Sequence, residues 1–199
     1  MVIRRYWAVC TIAMLCILCY VLEHIVHWQT LEIHRLAWRG IARDSIFSTS
    51  FFWSFAPVST VLHTGPIHLA LNLWCLATLG SYLERRDGGV AIICLWGVSA
   101  YIAMGAEAWI GGVGRIGLSA VTYAMLGAIL LDWREASRSP RRAWTGGVML
   151  VFLTLGGLEL LGLPPVAPEV AHVAHAAGLI TGLIFALAWN WKRQVGSSG

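Results

Sequence analysis

Six apolar stretches, several close to the ~20 residues an α-helix needs to cross a bilayer, limit what this chain can become more than any other feature. They fall at 7–26, 66–83, 89–109, 116–133, 143–163 and 170–191. In lipid every backbone N–H and C=O must find its partner inside the segment, so such stretches fold as helices. The expected architecture is all-α: a polytopic membrane protein built as a six-transmembrane-helix bundle. Charge agrees. Only 12% of residues are charged, against roughly 25% in a soluble domain, and the mean hydropathy is +0.70. The 199 residues suit one membrane domain, 1–199, with no room for a separate soluble module.

The formal net charge of +4 does not point to nucleic acid, because the basic residues stand in short clusters between apolar stretches rather than in a basic surface interleaved with aromatics. They read as topology signals in contact with lipid. With the N-terminus inside, Arg4, Arg5, Arg85, Arg86, Arg134, Arg138, Arg141, Arg142, Lys192 and Arg193 lie on the inner side. Arg35, Arg39, Arg43 and Arg115 lie on the outer side, and ten against four favours cytoplasmic N- and C-termini. Arg4 and Arg5 before an apolar run resemble a signal peptide, but no clean cleavage site follows, so the run is expected to stay as the first helix. Cys10, Cys16, Cys19, Cys75 and Cys94 all fall in apolar segments and are expected to pack rather than pair. About forty residues, 27–65, separate the first two spans, and a connection of that length is usually functional. Phe51, Phe52, Trp53 and Phe55 suit a lipid–water boundary there.

Polar side chains inside spans are costly and draw attention by default. Three spans carry them. His68 and Asn72, four apart on one helix face, are two hydrogen-bond donors that suit a developing negative charge, or equally an interhelical clasp. Ser119 opens the fourth span after Gly117, where free backbone N–H groups lie beside it, with Tyr123 one turn below. His175 heads the sixth span above Gly178 and Gly182, a small-xxx-small seam that lets a neighbouring helix come close. If that neighbour is the fourth span, His175 meets Ser119 and forms the minimum pair for an activated hydroxyl nucleophile. All three positions fall near the outer ends of their spans.

The stretches His68-Leu69-Ala70-Leu71-Asn72, Gly117-Leu118-Ser119-Ala120-Val121-Thr122-Tyr123 and Ala174-His175-Ala176-Ala177-Gly178-Leu179-Ile180-Thr181-Gly182 resemble the HxxxN, GxSx and AHxxGxxxG motifs of the rhomboid family of intramembrane serine proteases, in the same order. Gly80 to Glu84, followed by Arg85 and Arg86, is similar to that family's second-helix ending. The resemblance covers about 50–190 and is to the compact six-helix bacterial type. It implies a rhomboid-like membrane domain in the bacterial inner membrane, cleaving transmembrane protein substrates in or near their membrane segments. It implies Ser119 as nucleophile and His175 as base. His68, Asn72 and the Ser119 N–H would form the oxyanion hole, with Tyr123 against the His175 ring and Gly117, Gly178 and Gly182 in support. It implies no cofactor and no metal. Ala120 stands where many members have Gly, and the Trp-Arg pair of the family's first loop is not clean: Trp53 lacks the Arg and Trp38-Arg39 comes too early.

Two other readings remain at this level. One is an inactive rhomboid-like protein that binds membrane clients. The other is a metal site or transporter, for which His24/His27 and His172/His175 have a workable spacing of three, but no carboxylate or Cys accompanies the second pair and no HExxH motif is present. His172 is expected at the rim of the cavity and His63 packed in the loop. Glu23, Glu107 and Glu159 fall near outer span ends within reach of water and are expected to be structural.

Overall fold

The computed structural model describes residues 5–24, 50–111, 116–130 and 171–196, and every regular element among the described residues is helical. Helix α1 is Trp7–His24, α2 is Ser50–Val61 and α3 is Pro66–Cys75. Helix α3 runs through a π-helical turn, Leu76–Gly80, into α4, Ser81–Asp87. Helix α5 is Gly89–Ala106 and ends in a second π-helical turn, Glu107–Gly111. Helix α6 is Ser119–Leu130 and α7 is His172–Gly196. The expected fifth span, 143–163, and Glu159 lie outside the described residues, as do 27–49 of the first connection.

Two helices carry an apolar outer face that a water-soluble bundle would make polar. In α1, Ala8, Ile12 and Cys16 are fully buried at a spacing of four, while Met14 and Leu18 are exposed. In α7, Ala174 and Ala186 are buried, whereas Ile180, Ile184 and Leu187 form an exposed stripe at offsets of four and seven. Large apolar side chains facing outward along whole helices is the arrangement expected when the surrounding solvent is hydrocarbon. Two helical stretches, Gly89–Ile110 and His172–Trp189, are long and apolar enough to cross a membrane, and 22 residues of helix extend about 33 Å. Among the described residues the all-α expectation holds, and the two long apolar helices fit a membrane protein.

Helix α6 is the axis. Every residue from Ala120 to Ile129 is buried. Against it lie α7 on one side and, on another, Leu76, Leu79, Leu83, Ile92 and Leu95 of the main core. The α6–α7 seam is close because both helices carry small residues at it. A Cβ added at Gly178 would strike the Ala120 carbonyl oxygen, one at Gly182 the Ala124 carbonyl oxygen, and one at Gly127 the Leu179 carbonyl oxygen.

The first connection is not irregular throughout: 50–61 forms α2, which packs on α5, with Trp96 Nε1 donating to Thr60 Oγ1 at 2.9 Å. Pro57 inside it lacks an N–H, and its carbonyl accepts from Thr60 Oγ1 at 2.6 Å. At the opposite end of the bundle, buried Glu84 accepts from the backbone N–H groups of Ala8 and Val9 at 2.9 and 3.0 Å, closing the start of α1.

Candidate active site

The turn before α6 sets the site. Gly117 has φ +123°, a conformation that strains any residue with a Cβ, and its N–H donates to the Ser59 carbonyl of α2 at 2.8 Å. That bond pins the turn, and Ser119 follows as the first residue of α6. The first N–H groups of a helix have no partner within it, so the start of α6 supplies donors beside the Ser119 hydroxyl.

His175 lies in the first turn of α7, 9% exposed, and its Nε2 is 2.8 Å from Ser119 Oγ. A residue pair 56 positions apart in sequence is therefore in hydrogen-bond contact. The ring of Tyr123, one turn along α6, stacks on the His175 ring with centroids 4.4 Å apart and planes 16° from parallel. The stack fixes the imidazole plane, and the Gly178 and Gly182 contacts fix its distance from α6. His172, three residues before His175, is exposed.

His68 closes the other side. Its ring edge faces the turn before the serine: a Cβ at Gly117 would lie 2.6 Å from His68 Cε1 and 2.7 Å from Nε2. The opposite nitrogen, Nδ1, is 3.3 Å from Thr64 Oγ1. Asn72 is buried, and its Nδ2 donates to the His68 carbonyl at 3.0 Å, within its own helix. The amide retains a second N–H. This bond ties Asn72 to α3 rather than clasping a neighbouring helix. His63, before α3, packs edge-on against His68 with centroids 5.0 Å apart. Its Nδ1 donates to the Val61 carbonyl at 3.0 Å, and its buried Nε2 has no hydrogen-bond partner. Burial, and then the neighbouring His68, pull the His63 imidazole down from 6.5 to about 4.

The structure thus brings Ser119, His175, Tyr123, His68, Gly117, Gly178 and Gly182 to one end of the bundle, with Asn72 one turn below His68. One participant leaves no trace in the sequence, and another sits deeper than the sequence implies. Ser59 contributes only a backbone carbonyl, which leaves no mark in a sequence. Glu107 was expected within reach of water; it is instead 3% exposed, with Oε2 accepting from Ala174 N at 2.8 Å. Its signal was a carboxylate near the end of an apolar span.

An all-helical membrane bundle with a serine and a histidine in contact at one end is the class the fold and the site define. Comparison with known proteins narrows it. Residues 50–191 match the family model described as the rhomboid domain. The chain is 31% identical over 186 residues to the rhomboid protease GlpG of Serratia proteamaculans, covering 90% of this chain and 61% of that one. It is 30% identical over 190 residues to the rhomboid protease GlpG of Yersinia enterocolitica, covering 92% and 63%. The chain spans about three fifths of the length of these curated relatives. It belongs to the rhomboid family.

Proposed function

We propose that this chain is an intramembrane serine endopeptidase that cleaves transmembrane proteins in or near their membrane segments. The observation that carries the reading is the 2.8 Å contact between Ser119 Oγ and His175 Nε2, with Tyr123 stacked on the imidazole. An imidazole at that distance can take the hydroxyl proton as Oγ attacks the scissile carbonyl, then return it to the leaving amine. Negative charge develops on the carbonyl oxygen as Oγ adds, and its collapse expels the protonated amine. The N–H groups at the start of α6, His68 Nε2 and the second N–H of Asn72 are the donors available to hold that charge. Water hydrolyses the resulting acyl-enzyme with His175 again as base. The mechanism uses no cofactor and no metal.

The finer architecture belongs to the same proposal: six spans, both termini on the cytoplasmic side of a bacterial inner membrane, and the site opening to the opposite face. The intact serine–histidine contact weighs against a client-binding protein that has lost catalysis. Ser119→Ala tests the reading. It should abolish cleavage of a model transmembrane substrate and labelling by a fluorophosphonate, while leaving the fold intact, because Ala is well tolerated in a helix. Wild-type cleavage by that variant would sink the serine mechanism.

A further inference from the structure

Three coordinates of His175 must be set for it to meet Ser119: its distance from α6, the plane of its ring, and its position along the axis of α7. The glycine seam sets the first and Tyr123 the second. Neither sets the third. A seam of small residues is smooth, and a helix slipping along it by one residue moves its side chains by about 1.5 Å, enough to break a hydrogen bond.

We propose that Glu107 is a positioning residue that supplies the third coordinate. It stands where α5 gives way to the π-helical turn Glu107–Gly111, and such turns re-aim the residues they carry. Its carboxylate reaches from α5 to the first turn of α7 and accepts from Ala174 N at 2.8 Å. Ala174 directly precedes His175. The N–H groups of that turn have no partner within the helix, and the positive end of the helix dipole favours a negative group there. The contact is buried at both ends, so water competes little for it. The catalytic histidine is therefore tied through one peptide unit to a third helix that bears neither member of the pair. This role rests on the serine-protease reading.

The fold supplies its own control. Glu84 does the same chemistry at the far end of the bundle, capping α1 through Ala8 and Val9, with no group of the site nearby. The test measures kcat and KM for a model transmembrane substrate with the full chain in proteoliposomes, well below each variant's Tm. Glu107→Ala should lower kcat on the order of 10²-fold with KM nearly unchanged, the cost of a displacement of about 1 Å. Glu107→Gln keeps a carbonyl acceptor of the same length and should restore most of the rate. Glu84→Ala should lower Tm and leave kcat at the wild-type value. If Glu107→Ala does not fold, Glu107→Asp, which keeps the charge but is one methylene shorter, should lower kcat in its place. Wild-type kcat in Glu107→Ala or Glu107→Asp beside an inactive Ser119→Ala overturns the inference alone. So does failure of Glu107→Gln to restore the rate, or an equal fall of kcat in Glu84→Ala. Wild-type cleavage by Ser119→Ala overturns the serine reading and the inference with it.

Discussion

Replacing Gly182 puts a known displacement into the α6–α7 seam without touching a catalytic group. A Cβ at 182 would overlap the Ala124 carbonyl oxygen and lie 2.7 Å from the carbonyl carbon and 2.9 Å from Cα. These are backbone atoms in the middle of a buried helix, so no side-chain rotation relieves the clash. Ordinary contact begins near 3.4 Å, so the carbonyl carbon alone requires an opening of 0.7 Å, and the overlapping oxygen requires more. Helices that part in parallel by even 0.7 Å carry the Ser119–His175 contact from 2.8 Å to about 3.5 Å, outside hydrogen-bond range. A misplacement near 1 Å costs on the order of 10²-fold in rate. Gly182→Ala should therefore lower kcat by roughly one to two orders of magnitude, and the bulkier Gly182→Val by more. Both should also slow fluorophosphonate labelling, which reports the nucleophile without substrate binding. Gly97, in α5, has open space where its Cβ would go. Gly97→Ala should leave kcat unchanged and stabilise the helix by up to about 1 kcal/mol. Wild-type kcat in Gly182→Ala would refute the reasoning, since it would mean the seam yields without moving the pair.

Other expectations concern the neighbouring side chains. His68→Ala and Asn72→Ala should each slow cleavage by roughly 10- to 10³-fold, less than Ser119→Ala; normal rates with a lowered Tm would make the pair structural. His63 is held neutral in the fold, with a folded value of about 4 against 6.5, so between those pH values the unfolded chain binds the extra proton. Stability should therefore fall as pH drops from 6.5 toward 4, by on the order of 3 kcal/mol from this residue. His63→Phe should flatten that part of the Tm–pH curve, and an unchanged curve would rule out His63 as its source. EDTA or phenanthroline should leave cleavage unchanged, while loss restored by zinc would move the mechanism to metal chemistry.

The parts of the site that were legible in the sequence are those whose residue types are costly in lipid or needed for close packing. Ser119, His175, His68 and Asn72 stood out as polar groups in apolar runs, and Gly178 and Gly182 as a seam. Their order along the chain then matched three span ends at one depth. What stayed hidden depends on backbone or on distant partners. The Ser59 carbonyl that holds Gly117 has no side-chain signature. The π-helical turns at Leu76–Gly80 and Glu107–Gly111 add a residue to a hydrogen-bonded turn, which hydrophobic periodicity does not report. Helix α2 was hidden inside what looked like one long connection. Glu107 is structural as expected but buried rather than within reach of water, and the donor it accepts from, Ala174 N, lies 67 residues away.

The two capping carboxylates meet their partners at different times during synthesis. Glu84 closes on Ala8 and Val9, which leave the ribosome 75 or more residues earlier, so the first end of the bundle can be tied off while the rest is still being made. Glu107 waits for Ala174, 67 residues downstream. Until then the α5 carboxylate lacks that donor, and the histidine that the contact precedes has not been made. The nascent chain can thus lock the Glu84 end early, while the Ser119–His175 end is completed only when α7 docks.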